Sequence, residues 1–391
     1  MIKKQLSTRI LSLILPPILP LSFILFFHHS LVSAAAVIPS APKISAKAYV
    51  LMDFRSGTVL AKQNDDQRIE PASLTKIMTA YAVFTELNNG SIKLEDKVLI
   101  SEAAWRMKGS RMFIEVNKRV DVKSLILGMI VQSGNDASVA LAEHVAGSEE
   151  TFAALMNKHA ATLGMKDTHF VNSTGWPNKE HYTTASDLAK LARAIISDFP
   201  EYYKWYSIKE YTFNDITQPN RNKLLWIDER VDGIKTGHTD SAGYCLITSA
   251  ENKGMRLISI VAGTKSEKLR VSASRKLLNY GFRFYESHVL YQANEQLTAR
   301  RIYKGDVDEI QLGLLEPLYV TIPRGQRNKI KASMSIDQNI SAPVFKGQQY
   351  GTLDINLGKT KLASRKLVAI TDIPEGGLWS RLVDGFILLF L

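Results

Sequence analysis

The chain has 391 residues, of which 45% are hydrophobic and 22% are charged, and its formal net charge is +11. This apolar share is enough for the cores of two or three domains, and it excludes a disordered, collagen-like or multi-pass membrane protein. The single cysteine, Cys245, excludes an internal disulfide, while the positive charge leaves nucleic acid, an anionic membrane surface and an acidic polymer open as partners.

Residues 1–36 have the three parts of a secretory signal peptide. Basic residues precede an apolar run over 10–27, and small residues follow at 32–36. The basic residues are Lys3, Lys4 and Arg9. Prolines interrupt the run and disfavour the alternative, a retained membrane anchor. We expect cleavage after Ala34 or Ala36, which lowers the net charge to +8 and makes nucleic acid an unsuitable partner for the exported chain.

The next part of the chain predicts an α/β (α+β) fold. A hairpin is expected over 48–62, with its turn at Arg55-Ser56-Gly57. Helices are predicted where apolar residues recur at helical spacing, over 78–87, 125–130, 139–145 and 187–196. Strands are then predicted over 231–236, 243–249 and 255–263, and a last helix over 267–280. We expect one antiparallel sheet, flanked by helices, that pairs the hairpin with the last three strands.

Past residue 292 the sequence changes to short β-prone runs cut by glycine and proline. These runs cover 310–315, 318–322 and 366–373. They predict a separate all-β domain over 292–375, so that 37–291 forms a first domain.

Residues 376–391 predict an amphipathic helix. One side is apolar and comprises Trp379, Leu382, Val383, Phe386 and Phe390. The other side is polar and comprises Ser380, Arg381 and Asp384. At about 21 Å the helix is too short to cross a hydrocarbon core of about 30 Å. The pattern favours a helix lying in a membrane interface, and the alternative is a helix docked on its own domain.

Three short motifs occur in one order along the first domain: Ser73-Leu74-Thr75-Lys76, Ser133-Gly134-Asn135 and Lys235-Thr236-Gly237. Residues three apart on a helix share a face, so the Ser73 hydroxyl and the Lys76 amine are within hydrogen-bond reach. A second Ser-x-x-Lys run, at residues 40–43, contains a proline that disfavours a helix. The first motif therefore favours a serine nucleophile with a lysine base.

A lysine with its ordinary pKa of about 10.4 is no base at neutral pH. Lowering that pKa by about three pH units costs about 4 kcal/mol, which burial and a nearby positive charge such as Lys235 can supply. Ser133 adds a hydroxyl for proton relay, Asn135 adds an amide for holding a peptide group, and Gly237 leaves room for substrate backbone. Taken singly, each motif also fits a helix cap, a turn or an exposed strand end.

These motifs resemble the serine nucleophile pattern of penicillin-binding proteins and serine β-lactamases. Longer stretches over 71–79, 132–137 and 231–239 are similar to low-molecular-mass D-alanyl-D-alanine carboxypeptidases. The resemblance covers about residues 47–286, and the later β domain and terminal helix match the layout of that family.

The resemblance implies a role for each catalytic residue. Ser73 is acylated by the penultimate D-alanine carbonyl, and Lys76 accepts its proton. Ser133 passes the proton to the leaving amine, and Lys235 stabilises that hydroxyl and the local charge.

It also implies a binding set. The backbone N–H groups of the nucleophile and of His238 form the oxyanion hole. Thr236 and Arg270 hold the terminal carboxylate of the substrate. From their residue types, Asn135 and Gly237 are expected to contact the substrate backbone.

The expected partners are a peptidoglycan stem pentapeptide, β-lactam antibiotics as covalent inhibitors and the inner-membrane surface, with no metal or cofactor. A class A β-lactamase is disfavoured because the sequence lacks a Glu-x-x-Leu-Asn run, and a metallopeptidase because it lacks a His-x-x-x-His pair. Two alternatives stay open: a DD-endopeptidase that cuts cross-links with the same site, and a non-catalytic β-lactam sensor or cell-wall binding module.

Overall fold

The computed structural model describes residues 38–390, so the predicted signal peptide lies outside the described residues. In the first part of the chain the strands are β1 (Ala48–Asp53), β2 (Val59–Gln63), β3 (Lys97–Leu99), β4 (Arg119–Asp121), β5 (Glu210–Phe213), β6 (Ile216–Pro219), β7 (Val231–Thr239), β8 (Gly243–Asn252) and β9 (Met255–Thr264). The helices are α1 (Lys76–Asn88), α2 (Glu102–Trp105), α3 (Val122–Leu127), α4 (Asn135–Ala146), α5 (Glu149–Thr162), α6 (Ala185–Asp198), α7 (Pro200–Tyr203), α8 (Leu224–Ile227) and α9 (Glu267–Phe284).

A five-stranded antiparallel sheet in the order β2-β1-β9-β8-β7 forms the centre of this part. On β9, Ile258 and Ile260 join the core formed with α1, α4 and α6, whereas Leu257 and Val261 join the core formed with α9. Neighbouring strand residues point to opposite faces, so an apolar run on both faces requires helices on both sides. The predicted pairing of the hairpin with the last three strands, and the α/β (α+β) class, are confirmed.

Helix α9 is longer than the sequence predicts. The prediction ends near Tyr280, directly before Gly281, but the helix continues to Phe284. A Cβ atom on Gly281 would lie 2.5 Å from Leu257 Cδ1, so this glycine allows the helix to approach the sheet and does not end it.

Two short ribbons, β3 with β4 and β5 with β6, escaped prediction. Their strands have only three or four residues, too few to show an alternating pattern.

The later part of the chain is all-β, as predicted. Its strands are β10 (Tyr285–Tyr291), β11 (Gln296–Tyr303), β12 (Glu309–Gly313), β13 (Leu318–Pro323), β14 (Ile330–Ile336), β15 (Ile340–Ser341), β16 (Gln349–Leu357) and β17 (Thr360–Ala369). Six of them form a sheet in the order β14-β16-β17-β12-β11-β15, and β10 pairs with β13. Strand pairing within this β domain therefore begins before residue 292.

Polar contacts join the β domain to the first part of the chain. The Ser56 and Thr321 hydroxyls are 2.6 Å apart, and Arg55 donates a hydrogen bond to the Tyr319 hydroxyl at 3.0 Å. Ser56 belongs to the turn of the first hairpin, so that turn serves as a contact point between the two parts.

The terminal helix α10 (Leu378–Ile387) docks on the β domain by its polar side. Asp384 is buried, accepts a hydrogen bond from the Lys304 backbone N–H at 2.5 Å and pairs with Arg301 at 3.2 Å. The Ser380 hydroxyl donates to the Gly305 carbonyl. The apolar side faces outward, with Trp379 81% exposed. Within residues 38–390, no helix combines the length and the apolar character that a membrane span requires.

Candidate active site

Ser73 lies in a single 3-10 turn, Ala72–Thr75, that leads directly into α1. The turn is strained, because Ala72 has a φ of +47°, which residues with a side chain rarely adopt. Gly175 packs so closely against the Ala72 carbonyl that a side chain at this position would overlap it. The loop that contains Gly175 therefore helps to hold the turn in this conformation.

Lys76 is 1% exposed and has three polar neighbours. Its Nζ donates to Asn135 Oδ1 and to the Thr174 carbonyl, both at 2.7 Å, and lies 3.1 Å from Ser73 Oγ. A neutral amine has two N–H groups and one lone pair. In the neutral amine the two shorter contacts can use both N–H groups, which leaves the lone pair available to the Ser73 hydroxyl.

Burial lowers the pKa of Lys76 to about 7, because the charged amine loses its hydration. The negative charge of Asp136 opposes this effect, Arg221 adds to it, and Glu149 opposes it. A large fraction of Lys76 is therefore neutral near pH 7, as a general base requires.

Ser133 and Lys235 form a second hydroxyl–amine pair, with Nζ donating to Oγ at 2.9 Å. Ser133 has a left-handed backbone, φ +69°, and follows a short π-helical stretch over Gly128–Gln132. Such stretches often occur at functional sites because they redirect the chain. Burial lowers the pKa of Lys235 well below its ordinary value, and the nearby charge of Lys76 lowers it further.

Asn135 connects the base to the cleft wall. Its Oδ1 accepts from Lys76, and its Nδ2 donates to the Lys108 carbonyl at 2.6 Å. Both polar ends of this amide are thus engaged within the protein.

Strand β7 carries the third motif and is an edge strand of the central sheet. A Cβ atom on Gly237 would lie 3.0 Å from the Pro71 carbonyl and 3.2 Å from Leu74 Cγ. This glycine therefore allows β7 to pack against the turn of the nucleophile, a reason that the sequence did not reveal. His238 follows on the exposed side, and its ring centroid is 4.0 Å from that of Tyr244.

Arg270 comes from α9 and is 5% exposed. Its guanidinium donates to the Gly237 carbonyl at 3.3 Å and to Glu267 at 3.2 Å, and it stacks over the Tyr244 ring. Its Nε has no hydrogen-bond partner among the described residues. A buried cation on the cleft wall beside β7 can receive a carboxylate.

The structure brings the predicted site residues together around one cleft of about 950 Å³. Seven of them line it: Ser73, Ser133, Asn135, Thr236, Gly237, His238 and Arg270. Lys76 and Lys235 are buried beneath the surface of the cleft.

Sequence reasoning did not assign three further residues that line the cleft: Phe113, Trp176 and Arg221. The two aromatic rings are more than 40% exposed, which is unusual for side chains of this size. Arg221 donates to the Gln132 carbonyl, next to Ser133.

The fold, a helix-flanked antiparallel sheet, holds two serine–lysine pairs, Ser73 with Lys76 and Ser133 with Lys235. Together they define an active-site serine hydrolase. The chain belongs to the D-alanyl-D-alanine carboxypeptidase family: the model of that family matches residues 35–266. A second model, the C-terminal domain of penicillin-binding protein 5, matches residues 285–375. The predicted enzyme class, a serine-type D-Ala-D-Ala carboxypeptidase of the penicillin-binding kind, is thereby confirmed.

Relatives and solved structures agree with this family. D-alanyl-D-alanine carboxypeptidase DacC of Escherichia coli is 43% identical over 377 residues, which are 94% of this chain and 94% of the relative. Penicillin binding protein 5 from Haemophilus influenzae has a TM-score of 0.83 at 43% identity and covers 86% of this chain and 100% of its own. The carboxypeptidase DacD from Francisella tularensis has a TM-score of 0.72 at 35% identity and covers 90% and 99%.

Proposed function

We propose that this chain removes the terminal D-alanine from peptidoglycan pentapeptide stems through an acyl-enzyme on Ser73. It would work outside the cytoplasm, with residues 37–284 carrying the chemistry, 285–375 forming the β domain and 376–391 attaching to the inner membrane. The contact of the buried Lys76 amine with the Ser73 hydroxyl carries the proposal.

Acylation begins when the Ser73 oxygen attacks the penultimate D-alanine carbonyl and its proton moves to Lys76. The resulting oxyanion accepts hydrogen bonds from the backbone N–H groups of Ser73 and His238, which are typically worth about 3 kcal/mol each in acyl transfer. The packing of β7 against the nucleophile turn supports this pairing of donors.

The C–N bond then breaks, and the leaving amine needs a proton. Ser133 donates its own proton to that amine and is reprotonated from the Lys76 side, while Lys235 stabilises the Ser133 oxygen. Free D-alanine departs. Water then attacks the acyl-enzyme ester with Lys76 again accepting a proton, which releases the shortened stem and restores Ser73.

Arg270 and Thr236 would bind the carboxylate of the terminal D-alanine. The position of both residues on the cleft wall and the buried positive charge of Arg270 support this assignment. Asn135 and Gly237 would border the substrate backbone. A β-lactam carries a carboxylate and an acyl group in a comparable arrangement, so we expect it to acylate Ser73 and to persist as an inhibitor.

The membrane attachment is supported by the orientation of α10. A helix that docks on its own domain normally buries its apolar side, because burial removes apolar surface from water. Here Asp384 and Ser380 face the domain, while seven large apolar side chains face outward. They are Leu378, Trp379, Leu382, Val383, Phe386, Leu389 and Phe390. A lipid interface would cover them.

Product analysis on the mature chain tests the activity. We expect release of D-alanine from an uncross-linked pentapeptide stem and loss of that release in Ser73→Ala. The matched control is Ser40→Ala, which alters the other Ser-x-x-Lys run and should keep full activity.

The same assay distinguishes the competing functions. Cleavage of cross-linked wall fragments without D-alanine release would identify an endopeptidase, and penicillin binding without turnover of either fragment would identify a sensor. Either result contradicts the carboxypeptidase proposal.

A further inference from the structure

A carboxylate that lies outside the cleft binds the chain segment that contacts Lys76, the proposed base. Glu149 is the first residue of α5, and its Oε1 accepts hydrogen bonds from the backbone N–H of Ser173 at 3.0 Å and from the Ser173 hydroxyl at 2.6 Å. Ser173 is fully buried. Glu149 does not line the cleft, so it cannot act on substrate directly.

The segment that Glu149 holds contacts α1 through two consecutive carbonyls. Ser173 O accepts from the Thr79 hydroxyl at 2.6 Å, and Thr174 O accepts from Lys76 Nζ at 2.7 Å. Thr79 and Lys76 are one turn apart on α1. The segment is therefore fixed on its N–H side by Glu149 and on its carbonyl side by α1.

We infer that Glu149 is a positioning residue for the hydrolysis: by holding Ser173 it keeps the Thr174 carbonyl where the Lys76 amine donates to it. The inference rests on the proposed function, in which Lys76 is the base. The start of α5 does not depend on this contact, because Ser148 caps the helix by accepting from the Thr151 N–H.

Glu149 acts on Lys76 in a second way, through its charge. Its carboxylate raises the pKa of Lys76 against the lowering caused by burial. The other titratable groups that act on or face Lys76 are Asp136, Arg221, Lys235 and His181. These groups remain unchanged in Glu149 variants, so the two effects of Glu149 can be separated.

Two substitutions separate them. Glu149→Gln keeps an acceptor oxygen for Ser173 and removes the charge, whereas Glu149→Ala removes both. Glu150→Gln, at the exposed neighbouring position, is the matched control. The measurement is kcat and kcat/KM for D-alanine release by the full mature chain as a function of pH, normalised to the fraction of enzyme that labelled penicillin titrates.

In E149Q we expect kcat within about threefold of wild type. The acid limb of kcat/KM should move to lower pH by at least about 0.3 pH unit, which is about a twofold change on the limb, because a lower pKa leaves Lys76 neutral at lower pH. In E149A we expect the same direction of shift and a loss of kcat of about tenfold, the effect of one weakened hydrogen bond to the base.

A purely structural role would lower the titrated fraction and leave the acid limb unmoved. If both Glu149 variants match E150Q in kcat and in acid limb, or if E149A keeps full kcat, the inference is overturned. If E149A does not fold, Ser173→Ala replaces it: we expect a loss of kcat without a shift of the limb, and unchanged kcat would overturn the inference. Failure of the proposed function is distinct, because wild type would then release no D-alanine.

Discussion

At the scale of single residues, the site depends on how much water each amine has lost. Both lysines of the motifs are almost fully buried, and burial lowers the pKa of each. The sequence predicts that a lowered pKa is needed. It does not show that the shift in Lys76 comes first from burial, because burial depends on residues that are distant in the chain, such as Asn135 and Thr174.

The pH dependence of the reaction should report on Lys76. With its pKa at about 7, kcat/KM for D-alanine release should fall about tenfold per pH unit below that value, because the protonated amine cannot accept the Ser73 proton. Lys76→Arg keeps the charge and the donors but stays protonated. We expect it to lose about 10²- to 10⁴-fold in kcat/KM, and we expect the same loss in Lys76→Ala.

Rates measured from pH 5 to 9, on enzyme whose folding is checked by circular dichroism, give this profile. An unchanged rate in Lys76→Arg would show that another group is the base.

At the scale of elements, the periodicity of apolar residues predicts whether a segment is a helix or a strand better than it predicts where that segment ends. Strands β7, β8 and β9 are found where predicted because buried strands leave a nearly continuous apolar signal in the sequence. The predicted end of α9 is wrong because Gly281, a residue type that commonly ends helices, here allows close packing against Leu257. The π-helical stretch that turns Ser133 toward Lys235 has no sequence signature that we recognised.

Helix α10 is expected to attach the chain to anionic membranes. Truncation before Leu378 should move the mature chain from anionic vesicles into the soluble fraction without loss of D-alanine release, since the cleft lies in the first part of the chain. Leu382→Glu, which alters only the outward side of α10, should also weaken vesicle binding.

Co-sedimentation with phosphatidylglycerol-containing vesicles measures both effects, with Ser380→Ala on the inward side as the control. Equal sedimentation of the truncated and full-length chains would contradict the attachment.

At the scale of the whole molecule, the order of the three motifs in the chain predicts a common site, and the fold explains why they meet. The first motif leads into α1, the second leads into α4, and the third lies on the edge strand β7, so the cleft forms where the helices meet the sheet edge. The sequence could not show contacts made by backbone atoms, such as the Thr174 carbonyl, because every residue supplies one. Part of the positive charge of the chain lies at the cleft. Arg221, Lys223 and Arg270 line it, where a substrate carboxylate is expected.

The most direct test of the whole account is the position of the covalent penicillin adduct on the mature chain, mapped by peptide mass spectrometry. We expect one adduct, on the peptide that contains Ser73, and none in Ser73→Ala. An adduct on another residue, or equal labelling of folded Ser73→Ala, would contradict it.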